Sequence, residues 1–137
     1  MKKFAYPLSE EAPENVRTAQ GKTLAELTLE SILSGEVKQQ DFAITPEVLF
    51  HQANVARASG RERLAENFER AAEMINVPNG MLIETYELLR PGRASTAEVL
   101  FERARLFREQ FGAERMAAFI EEAARAYERR SLFRARY

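Results

Sequence analysis

The sequence predicts an all-α protein, a small helical bundle of four or five main helices with an extended N-terminal arm. Three observations carry that prediction. From residue 45 onward, apolar residues recur at spacings of three and four, the period of a helix with one buried face. Serine, threonine, proline and glycine fall at intervals that fit helix starts and stops. The one candidate strand, in "QQDFAI", has no partner strand in the sequence. The length of 137 residues fits one domain. The expected division is an arm over residues 1–22 and a helical domain over residues 23–137.

The arm reads as irregular. Pro7, Pro13 and Gly21 punctuate it, and neither the helical nor the strand period is present. Phe4, Tyr6, Leu8 and Val16 are spread along it, so it is expected to lie on a partner or on the chain's own core. In "KTLAELTLESILSG", Thr23 with Glu26 forms a capping box, Thr28 caps a second short turn and Gly35 ends it. Leu24, Leu27, Ile32 and Leu33 are the expected anchors there. "QQDFAI" reads as a short link or a lone strand.

The helical body starts at Thr45, a cap followed by Pro46 at the first helical position. Leu49, Ala53 and Ala56 face inward, and Gly60 interrupts the pattern. The next helix runs from about Arg61 to Asn76, with Leu64, Ala65, Phe68, Ala71, Ala72 and Ile75 inside. Its alanines allow a neighbouring helix to approach closely. Pro78 opens a further helix striped by Leu82, Tyr86 and Leu89, which "RPGR" ends. Ser95 with Glu98 reads as another capping box, ahead of a face of Ala97, Leu100, Phe101, Ala104, Phe107 and Phe111. Gly112 breaks or bends the pattern. A last helix carries Met116, Phe119, Ile120, Ala123, Ala124 and Tyr127, and a basic, aromatic tail follows.

Composition removes several function classes. Twenty basic and 21 acidic side chains give a net charge of −1, without the basic stripe that nucleic acids select. There is no cysteine, so thiolate catalysis, disulfides and cysteine–metal sites are excluded. No apolar run approaches a membrane span, and no secretion signal opens the chain. The expected location is the cytoplasm.

Glu62, Glu66, Glu69 and Glu73 stack along one side of a helix. A carboxylate di-metal bundle site also needs Glu-x-x-His pairs, and the sequence has none. Its single histidine, His51, has Glu47 four residues away but no second imidazole to join it. The four glutamates are therefore expected to form a solvated or interface side. There is no Gly-x-Ser-x-Gly and no phosphate loop. Arg57, Arg61, Arg63 and Arg70 are interleaved with acids, unlike a phosphate groove. Arg129, Arg130, Arg134 and Arg136 suit a helix C-terminus and docking on an acidic partner. No catalytic, cofactor-binding or metal-binding residue is expected on this chain.

Several landmarks occur together and in order: "YPL", "TAQGKTLAELTLESILSG", "AITPEVL", "GRERLAENFERAAEM", "VPNGMLIETYELLRPGR" and "EEAARAYERR". With these the chain resembles the small, or gamma, subunit of adenosylcobalamin-dependent diol and glycerol dehydratases, from Tyr6 to about Arg130. "GRERLAENFERAAE" makes it more similar to the propanediol type. The resemblance implies a non-catalytic subunit of a carbon–oxygen lyase that converts 1,2-propanediol to propionaldehyde and water by radical chemistry. Alternatives are the glycerol dehydratase small subunit, whose product is 3-hydroxypropionaldehyde, and a stand-alone helical adaptor. It further implies a large (alpha) TIM-barrel subunit and a medium (beta) subunit as partners, in a dimer of heterotrimers. Adenosylcobalamin and a potassium ion would belong to the larger subunits, with no nucleic acid and no membrane involved. Only Met1 to Ala5 precede "YPL", too short a stretch for a helix that would direct the chain into a microcompartment.

Overall fold

A computed structural model describes residues 6–133. Phe4, Arg134, Arg136, Tyr137 and the five residues before "YPL" lie outside that range. The described residues are all-α, with seven α-helices and no strand. Two are short, α1 (Leu8–Glu11) and α2 (Leu29–Leu33). Five are longer: α3 (Pro46–Ala58), α4 (Glu62–Met74), α5 (Asn79–Leu89), α6 (Ala97–Phe111) and α7 (Glu114–Arg129). None of these helices is long and apolar enough to cross a membrane. Two compact units divide the chain, Met1–Ala72 and Glu73–Tyr137.

In the first unit the arm is built from turns. After α1 comes a 3₁₀ turn, Pro13–Asn15. The buried Thr18 hydroxyl then accepts from the Gln20 and Lys22 backbone N–H groups, at 3.2 and 3.1 Å, and fixes a reversal. Gly21, at φ +85°, makes that reversal possible. Glu26 accepts from the Thr23 N–H at 2.7 Å and from its hydroxyl at 2.6 Å, starting a 3₁₀ turn at Leu24–Glu26. Thr28 Oγ1 accepts from the Ser31 N–H at 3.1 Å and caps α2. "QQDF" is a 3₁₀ turn, Gln39–Phe42, rather than a link or strand. It closes because Asp41 accepts from the Lys38 N–H at 2.9 Å.

Thr45 caps α3 with Pro46 in the first turn, as the sequence indicates. Ala53 and Ala56 of α3 meet Ala65 of α4 in a small buried cluster that Phe68 covers. The expected anchors of the 24–33 region are not inside. Leu24, Ile32 and Leu33 are 44%, 43% and 78% exposed, and only Leu27 is half-buried. Ile32 and Leu33 keep their helical spacing, but the side of α2 that carries them faces outward.

The second unit holds the larger core. α6 and α7 form a hairpin joined through Gly112 and Ala113. Gly112 ends α6 in the left-handed conformation at φ +61°, and the Ala113 N–H bonds back to the Phe107 carbonyl at 3.0 Å. Leu100, Ala104 and Phe107 face Ala117, Ile120 and Ala124, all fully buried. Large side chains meet alanines across this seam, which lets the helices approach closely. Ala117 was not among the positions expected inside, and Phe119, which was, is exposed.

Two further expectations change here. α5 turns Met81, Leu82, Leu88 and Leu89 inward, with Thr85 buried between them, and leaves Tyr86 outside. Apolar residues surround this helix, so its inner side could not be chosen by spacing alone. α6 starts after Thr96, which makes no side-chain cap bond, so the Ser95–Glu98 box does not set its start.

Candidate docking surface

The glutamates along α4 divide by partner. Arg57 donates to Glu62 at 2.9 Å and to Glu69 at 3.0 Å, and these carboxylates raise its pKa, Glu69 more than Glu62. Glu73 lies at the other end of the helix. Its Oε2 accepts from the Met116 N–H at 2.8 Å and its Oε1 from the Arg115 N–H at 3.1 Å. Those are unsatisfied donors of the first turn of α7, where a negative charge is stabilising. The Glu73 side chain is only 9% exposed. Thus Glu69 and Glu73 form specific clasps within their own units, rather than a uniformly wet side. Among the described residues, no group of three histidine or carboxylate side chains is arranged to hold a metal ion.

The other residues singled out are dispersed. His51 is half-buried on α3 and Glu47 is exposed. Arg129 and Arg130 are exposed, and Phe133 packs edge-on against the Tyr127 ring with centroids 6.0 Å apart. That contact turns the start of the tail onto the second unit's own core. Arg108 links α6 to α7 through Glu114 at 2.8 Å and Glu121 at 2.9 Å, and the two carboxylates hold its pKa well above the ordinary value.

The first unit carries the feature that sequence spacing did not locate. Between residues 24 and 44, six large apolar side chains are exposed: Leu24, Leu29, Ile32, Leu33, Phe42 and Ile44. Leu29, Ile32 and Leu33 share one side of α2, at i, i+3 and i+4. Leu24, Phe42 and Ile44 line a cavity of about 250 Å³, together with Val16, Leu27 and Val48.

Asp41, which also lines that cavity, organises the backbone around it. Its side chain is fully buried, and Oδ2 accepts from the Lys38 N–H at 2.9 Å and from Lys22 Nζ at 3.0 Å. The Lys38 N–H, and after it the Lys22 ammonium, hold its carboxyl below the usual range. Lys22 Nζ also donates to the Glu36 carbonyl. Asp41 escaped the sequence reading, although Lys38 and Asp41 stand at the two ends of a capping spacing. A smaller exposed apolar pair, Ile83 and Tyr86, belongs to α5 of the second unit.

A surface with this much apolar exposure can bind another protein. Comparison with known proteins points the same way. The family model described as dehydratase small subunit matches residues 1–134. A relative from Salmonella typhimurium, named propanediol dehydratase small subunit, is 49% identical over 128 residues, covering 93% of this chain and 73% of its own. A protein of the same name from Citrobacter freundii is 48% identical over 128 residues, covering 93% of this chain and 74% of its own.

Proposed function

We propose a function from one premise, which is that the chain belongs to the dehydratase small-subunit family. On that premise it acts as the non-catalytic small subunit of a propanediol dehydratase, a lyase that converts 1,2-propanediol to propionaldehyde and water. It works in the cytoplasm with a large TIM-barrel subunit and a medium subunit, as a dimer of heterotrimers. Its task is to stabilise the large subunit and the assembly. Likeness over 128 residues to two proteins of that name carries the reading. The same names favour propanediol over glycerol as the substrate.

Adenosylcobalamin and potassium belong to the larger subunits in this reading. Among the described residues, no group of three histidine or carboxylate side chains could hold a metal ion. The exposed apolar surface of the first unit fits a chain whose work is contact.

The test is coexpression of the large and medium subunits with and without this chain, assayed with adenosylcobalamin and each diol. The expected result is propanediol turnover and recoverable assembly that both fall when the chain is left out. Unchanged assembly and turnover without it would overturn the proposal. Turnover of glycerol in strong preference to propanediol would move it to the glycerol enzyme.

A further inference from the structure

We propose that the chain opens in a fixed order, the first unit unfolding by itself while the second stays folded, so that one small protein carries an adaptable half and a rigid half. The inference concerns the chain alone and does not rest on the dehydratase reading.

Core content is the first argument. The largest fully buried side chains among the described residues, Phe107, Leu100 and Ile120, all belong to the second unit. The buried cluster of the first unit consists of Ala53, Ala56 and Ala65 under Phe68. An alanine withdraws one methyl group from water, whereas a leucine, isoleucine or phenylalanine withdraws a whole side chain, and stabilisation scales with that area. Nine of the thirteen large apolar side chains exposed among the described residues also belong to the first unit.

The reach of the hydrogen bonds is the second argument. Before α3, the side-chain bonds that set the turns span three residues: Thr23 with Glu26, Thr28 with Ser31, and Lys38 with Asp41. Each closes its own turn without tying it to the next. The bond from Lys22 to Asp41 spans nineteen residues and joins the Thr18 reversal to the Gln39–Phe42 turn. In the second unit, the Glu73 carboxylate takes the Arg115 and Met116 N–H groups from 42 and 43 residues away. The Tyr127 hydroxyl donates to the Leu89 carbonyl, 38 residues away. With the α6–α7 seam, these bonds close the second unit from its first residue to its last helix. A segment with few buried apolar contacts opens at a lower cost than one closed around a packed core.

Amide hydrogen exchange of the full chain at neutral pH, followed by mass spectrometry, tests the order. The inner amides of α3, from Ala53 to Ala58, are compared with those of α6 and α7, because all three helices are hydrogen-bonded. Exchange in α3 is expected to be at least about tenfold faster. Asp41→Asn weakens the long-range bond and is expected to speed the Thr18 reversal and α3 by one common factor, with α6 and α7 unchanged. Leu49→Ala thins the first unit's buried side without touching those polar bonds and is expected to give the same pattern in α3. Protection of α6 and α7 in the same sample reports that the rest of each variant is folded. One exchange rate shared by the three helices, or slower exchange in α3 than in α6 and α7, would overturn the inference. So would a variant that speeds α6 and α7 as much as α3, since the chain would then open as a single body. An Asp41→Asn effect confined to residues 18–42 would reduce the opening to a local fraying of turns, and the inference would fall.

Discussion

Asp41 shows how much one residue organises in the first unit. Its carboxylate joins Lys22, on one side of α2 in the sequence, to the backbone of Lys38 on the other. Because its folded pKa lies below the unfolded value of about 3.9, the stability it contributes is fully present above that pH. It is lost as the pH falls through the lower, folded value. Glu26 is depressed in the same direction, chiefly by the Thr23 hydroxyl and then the Thr23 N–H, and adds to the same acid-side loss. Asp41→Asn is therefore expected to lower the melting temperature at neutral pH and to flatten its decline below about pH 4. Thermal melts by circular dichroism from neutral to acid pH check both effects. An unchanged acid slope would show that Asp41 is not a titrating group in unfolding.

At the scale of elements, the hairpin of α6 and α7 depends on its ends as well as its seam. Glu73→Ala removes the acceptor for two backbone N–H groups at the start of α7 and is expected to cost about 1–3 kcal/mol. Gly112→Ala places a side chain at φ +61° and is expected to cost about 1–2 kcal/mol, although nothing crowds the added Cβ. Phe107→Ala opens a cavity in the seam and is expected to cost about 3–5 kcal/mol. Urea unfolding of the three variants measures all of these. Equal, negligible effects would mean that the seam does not hold this unit together. Much of this was legible beforehand: Leu100, Ala104, Phe107, Ile120 and Ala124 follow the helical period, and Thr45–Pro46 marks its helix start directly. The clasp from Glu73 was not, since its partners are more than forty residues away and spacing reports only neighbours. α5 was half legible, because apolar residues surround it and only packing selects the inner side. The exposed side of α2 was misread as buried for a related reason: periodicity shows that a helix has an apolar side, not what covers it.

For the whole molecule, two consequences can be measured. Since no metal-ligating cluster is present among the described residues, excess chelator is expected to leave the melting temperature of the isolated chain unchanged. A downward shift on chelation would reveal a resident ion. Mixing with its companion subunits is expected to raise the melting temperature with concentration, by about 2.7 kcal/mol of added stability when the companion is at one hundred times the Kd. The buried cluster between α3 and α4 consists of three alanines under one phenylalanine, while several leucines and isoleucines nearby point into water. A copy made in excess of its companions would carry that greasy surface uncovered, in the form that chaperones and proteases recognise. Cellular levels of this small chain should then follow supply of the larger ones, with unpaired copies cleared and incorporated copies long-lived.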